Sequence, residues 1–139
     1  MNPLAPALLA ASAAIILLLG IVHLLYTFRG PELHPRDADL RARMTQVQPV
    51  LTRETTMWKC WVGFNASHSM GAILFGVVYA WLALAQGPFL FQSSFLLWVG
   101  LAFLGGYVVL GRLYWFSAPF RGIVASTMLY VSALVVAWT

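Results

Sequence analysis

The chain has 139 residues, 61% of them hydrophobic and 9% charged, against roughly 25% charged in an ordinary soluble domain. So little charge over so much apolar surface excludes a soluble globular fold, and the length implies one domain. The net charge of +4 does not indicate nucleic acid, because the cations flank apolar runs instead of forming a basic face interleaved with aromatics. The lone cysteine, Cys60, leaves no intramolecular disulfide and no cysteine-based zinc site within these residues.

Crossing the hydrocarbon core takes about 20 mostly apolar residues in a helix. The first such run covers residues 4–28, interrupted by Ser12, His23 and Thr27, with Pro3 and Pro6 at its start. A retained helix is expected here in place of a cleaved signal peptide. There is no early Lys or Arg, and the apolar run continues past the small residues Ala10–Ala14.

The connection that follows is the one substantial polar segment. Gly30-Pro31 and His34-Pro35 make it turn, and Asp37 is placed to cap a short helix that ends before Pro49. Leu40, Met44, Val47 and Leu51 recur at helical spacing among Arg36, Asp39, Arg41 and Arg43. That pattern predicts an amphipathic helix lying along the lipid headgroups, with docking to a protein partner as the alternative.

The second span is expected over residues 57–85, ending at Gln86-Gly87-Pro88. It is longer than a bilayer requires, so tilt or projection into the interface follows. The third span is expected over 89–111. The fourth is expected over 120–138, with Ser117 and Pro119 marking its entry. Trp58, Trp61, Trp115 and Phe116 fall toward one interface and Phe89, Phe91 and Trp138 toward the other, as aromatic belts do.

Residues 1–28, 60–111 and 122–139 contain no Asp, Glu, Lys or Arg. Arg29, Arg36, Arg41, Arg43, Arg53 and Lys59 surround the first connection, and Arg112 and Arg121 flank the third. Cations near span ends favour the cytoplasm. Both of these connections are therefore expected to be cytoplasmic, with both termini on the periplasmic or exterior side.

On the second span, Glu54, Trp58, Trp61, Asn65, His68, Ala72, Phe75 and Tyr79 follow one another at alternating steps of four and three. That spacing places all eight on one helix face. Asn and His are costly in hydrocarbon and usually turn into a bundle. Beside them Gly63, Ser67 and Gly71 form a small-residue register suited to close helix contact. Gly100, Gly105 and Gly106 offer a comparable face for internal packing or oligomer contacts. His23 on the first span lies at a depth similar to that of His68, and Arg112 is expected at the same side.

His23, Glu54, Asn65, His68 and Arg112 are thus the candidate residues of a polar pocket opening toward the cytoplasmic leaflet. Its ligand would be a lipid, a quinone or another small amphiphile. Interhelical hydrogen bonding by Asn65 and His68 is the simpler reading of the same residues. A third reading makes His23 and His68 the axial pair of a haem b in an electron carrier or oxidoreductase. Zinc or copper would need more ligands than His23, His68 and Glu54 supply. No intramembrane carboxylate pair, phosphate loop or Ser–His dyad is present, since Ser67, His68 and Ser69 are helix neighbours that do not face one another.

The segment Thr52-Arg53-Glu54 through Met57-Trp58, followed by Trp61-Val62-Gly63-Phe64-Asn65-Ala66-Ser67-His68-Ser69-Met70-Gly71, resembles the signature of a small bacterial family of uncharacterised four-span inner-membrane proteins. The resemblance covers nearly the whole chain and implies no activity. The charged intramembrane motifs of the eicosanoid and glutathione-metabolism membrane proteins, and of the sterol-isomerase-like fold, are absent. The sequence therefore predicts an all-α, four-helix transmembrane bundle with a short amphipathic cytoplasmic helix between spans one and two. The expected role is non-enzymatic: an accessory subunit in a homo-oligomer or membrane complex, or an amphiphile binder.

Overall fold

A computed structural model of the protein describes residues 2–138. These residues are all-helical, in the order α1 (Leu4–Phe28), α2 (Ala38–Met44), α3 (Met57–Ala85), α4 (Gly87–Gln92), α5 (Ser94–Tyr114) and α6 (Ser117–Trp138). The helices α1, α3, α5 and α6 are long and apolar enough to cross a membrane. With 29 residues, α3 reaches ~44 Å at 1.5 Å per residue, well beyond a hydrocarbon core of ~30 Å. The contacts of the chain fall into two compact units. Gly20–Gly71 forms one, and the residues on either side of it form the other.

The larger unit is a four-helix bundle built from the early part of α1, the later part of α3, and α5 and α6. Leu9, Ile16, Phe75, Leu104, Ile123 and Tyr130 fill its core. Phe75 and Phe103 stack at 4.4 Å between ring centroids. Three side chains add directional contacts to this core. Tyr79 Oη donates to the Leu96 carbonyl at 2.7 Å and Tyr130 Oη to that of Leu97 at 3.0 Å. Ser126 Oγ donates to the Ser12 carbonyl at 2.9 Å and lies 2.9 Å from the Ser12 hydroxyl. Every buried side-chain nitrogen and oxygen among the described residues has a partner, as an apolar solvent demands.

A close helix approach in this unit is at Gly76. A Cβ there would lie 2.8 Å from Leu17 Cα and 2.9 Å from the Ala13 carbonyl oxygen, so α1 and α3 pack backbone to backbone at this point. Gly100 is also tightly packed, but against side chains: a Cβ there would meet the Tyr130 phenol and, at 2.8 Å, Tyr79 Cε1. The expected register behaves otherwise. A Cβ on Gly63 or Gly71 meets nothing within 4 Å, and neither does one on Gly105 or Gly106. Ser67 is exposed and bonds only back to the Phe64 carbonyl, at 3.0 Å.

The third long helix begins at Ser94, not at Phe89. A separate six-residue helix, α4, precedes it with Pro88 in its first turn. Ser93 then ends α4 and caps α5, its hydroxyl accepting from the Leu96 amide. The fourth starts at Ser117, three residues before Phe120, with Pro119 accommodated in its first turn where a missing N–H is harmless.

In the smaller unit, Gly30 at φ 85° turns the chain out of α1, a backbone conformation that favours glycine. Asp37 caps α2, accepting from the amides of Asp39 at 2.9 Å and Leu40 at 3.1 Å. The helix stops at Met44 with Thr45 as its C-cap. Val47 and Leu51 therefore lie beyond it, and the expected four-residue apolar stripe is not carried on one helix. The amide of Met57 bonds the Val47 carbonyl at 2.9 Å, closing residues 47–57 into a loop.

Candidate functional site

The smaller unit contains the polar cluster. On α3, Asn65 is buried at 7% exposure, and its Nδ2 donates to the Trp61 carbonyl one turn earlier at 2.8 Å. That bond fixes the amide, leaving Oδ1 to face His23 Nε2 at 3.0 Å. An amide oxygen only accepts, so the network places the imidazole proton on Nε2. Thr27 Oγ1 donates to the His23 carbonyl at 2.8 Å, and Ser69 Oγ to that of Asn65 at 2.8 Å. His68 lies edge-on to His23, with ring centroids 5.3 Å apart and planes at 83°. Its other side meets the Phe64 ring, at 6.5 Å and nearly parallel. These are ordinary aromatic packing distances.

Of the five candidate residues, His23, Asn65 and His68 come together here. Glu54 does not join them, because α3 begins only at Met57. Glu54 stands exposed in the preceding loop, where its amide bonds Thr52 Oγ1 at 3.2 Å. The helix starts late because Thr56 initiates it, its hydroxyl accepting from the Lys59 amide and its carbonyl from that of Cys60. A Thr before an apolar run is an N-cap signal, and Thr56 was the available sequence cue. Arg112 is exposed near the end of α5 and belongs to the larger unit.

Sequence reasoning did not foresee how the connection seats itself on α3. Trp61 Nε1 donates to the Leu33 carbonyl at 3.0 Å. The Trp58 indole meets the His34 ring edge-on at 5.0 Å and lies 5.3 Å from the Arg41 guanidinium, a cation–π distance. The stripe of indoles thus serves as a platform for the loop. Behind it, Thr27, His34, Trp58, Trp61 and Asn65 line a crevice too narrow for a water molecule.

A haem held by His23 and His68 does not fit this arrangement. Two axial imidazoles must stand on opposite faces of the macrocycle, each with a nitrogen aimed at the iron. Here the rings touch edge to face at 5.3 Å, which leaves no plane between them, and His23 Nε2 is directed at Asn65. Among the described residues, no three His, Cys, Asp or Glu side chains gather as a metal site would require. What the cluster does do is join the end of α1 to the start of α3 by a hydrogen bond and a ring contact.

No model of a known family, no curated protein and no solved structure matches the chain.

Proposed function

We propose that the chain is a multi-pass protein of the bacterial inner membrane, of the small four-span kind that its Trp61–Gly71 segment resembles. In this reading it acts without catalysis, as an accessory subunit that offers one face of α3 to another transmembrane helix. The distribution of cations supports an orientation with residues 29–56 and Arg112–Arg121 in the cytoplasm, and with the Leu4 end of α1 and the Trp138 end of α6 outside.

One observation carries the reading: the Gly63–Ser67–Gly71 register borders open space, although such patterns serve close helix packing in lipid. At Gly76 and Gly100, by contrast, the chain's own packing leaves no room for a Cβ. The partner is a helix of a second copy or of a larger membrane complex. Extraction into native nanodiscs followed by mass measurement tests this. Wild type is expected to travel with its partner, while Gly63→Leu/Gly71→Leu keeps the wild-type melting temperature and is released as a single chain. A wild-type chain accompanied by lipid alone removes the reading.

A second reading, binding of a lipid, quinone or similar amphiphile, would require the crevice behind Trp61, too narrow for water as it stands, to open. The Trp61–Leu33 bond closes it, and Asn65 forms part of its wall. Wild type would then retain the amphiphile through purification, and Trp61→Phe, lacking the indole donor, would lose it. Equal retention by the two proteins, or none by either, counts against an amphiphile site.

A further inference from the structure

The loop closed by the Met57–Val47 hydrogen bond has an apolar tip with nothing over it. Thr52 N bonds the Pro49 carbonyl at 3.3 Å, making the turn that presents Val50 and Leu51. Leu51 is 93% exposed and Val50 fully so. No other large apolar side chain of the smaller unit is so exposed, and Val47, three residues before the tip, is about half exposed. Arg43 and Arg53, also exposed, flank the tip along the chain. The base of the loop is pinned to the first residue of α3, a helix long and apolar enough to cross a membrane.

These observations fit together if the tip faces lipid. A loop tethered at the start of a membrane span cannot move far from the headgroups. Exposed aliphatic side chains beside exposed arginines match the interfacial region, where the acyl boundary takes the former and phosphates take the latter. The two-turn helix α2 is the weaker candidate for this role. It ends at Met44, and Arg41 is engaged with Trp58.

We propose that the Val50–Leu51 apex inserts into the headgroup region of the membrane that the protein itself spans, held by Arg43 and Arg53 against anionic lipid phosphates. The inference rests on the membrane-spanning reading and not on the partner helix.

A nitroxide at Leu51→Cys in a Cys60→Ser background reads the depth of the tip in lipid nanodiscs. In discs rich in phosphatidylglycerol the label is expected to be open to oxygen and shielded from a water-soluble nickel chelate. Two arginines near an anionic surface change the inserted-to-free ratio by about thirtyfold. Purely phosphatidylcholine discs, or the added pair Arg43→Gln/Arg53→Gln, should therefore restore much of the nickel access. Because the label is itself apolar, amide hydrogen exchange over residues 48–56 is measured on unlabelled protein too. Wild type should exchange more slowly in anionic discs than Val50→Ser/Leu51→Ser, whose surface positions leave the fold intact. A label that stays nickel-accessible in anionic discs, or equal exchange in the two unlabelled proteins, overturns the proposal. The first result is also what a tip reserved for a protein partner would give. A control label at Leu74→Cys on the exposed face of α3 reports separately whether the helix lies in hydrocarbon.

Discussion

Replacing Gly76 by valine is expected to destabilise the protein by about 2–3 kcal/mol, the upper part of the range for overpacking a filled interior. The first added carbon would already lie 2.8 Å from Leu17 Cα and 2.9 Å from the Ala13 carbonyl oxygen. Both are backbone atoms of α1, so no side chain can rotate out of the way and the helices must separate. Separation also loosens Ile16 and Phe75, which lie nearby in sequence on the same two helices and fill the core. Reversible unfolding in mixed micelles measures the effect, with Gly71→Val as the control, since a Cβ at Gly71 meets nothing. Equal stability of the two variants would show that α1 and α3 do not approach at Gly76.

Asn65→Leu is expected to cost about 1–2 kcal/mol, by the same unfolding measurement, through the His23 imidazole left without its acceptor. The Trp61 carbonyl suffers less, because the helix backbone still supplies it with a donor. The cost should be recovered in part by His23→Phe in the same chain, since removing both partners of a part-buried hydrogen bond is cheaper than removing one. A double variant whose losses simply add would show that the 3.0 Å contact between His23 and Asn65 contributes nothing to stability.

The parts of this molecule that were readable beforehand depend on local periodicity. Apolar run length located four long helices, and the three- and four-residue steps put Asn65 and His68 on one face of α3. Counting rise from the charged ends placed His23 near the same level, and the three side chains do meet. What could not be read depends on which neighbour a face meets. Gly63, Ser67 and Gly71 carry the sequence pattern of a close contact but look into open space, whereas the contact is made at Gly76, which sits in a second small-residue register, Ala72, Gly76 and Ala80. The difference lies in α1, where Ala13 and Leu17 set the approach, so the α3 segment alone does not choose between its two small-residue registers. Glu54 and the start of α5 failed for another reason. A single hydroxyl, on Thr56 and on Ser93, decides where each helix begins, and capping bonds outweigh the continuation of an apolar pattern across them. The loop platform on Trp58 and Trp61 was hidden because both indoles already had a sufficient explanation as interfacial residues.

The turn between α3 and α5 bears on how the chain enters a bilayer. Residues 86–93 hold no Lys, Arg, Asp or Glu, and only Gln86 and Ser93 fall outside a helix. The Gln86, Leu90 and Ser93 amides bond the carbonyls of Leu82, Gln86 and Leu90 in relay, so little backbone is left bare at the corner. Carrying such a corner through hydrocarbon strips few hydrogen bonds from water and moves no ion. The pair α3–α5 is therefore suited to pass into the membrane as one preformed hairpin during synthesis. In the orientation proposed above, the arginine-bearing segments on either side of it would stay behind on the cytoplasmic face.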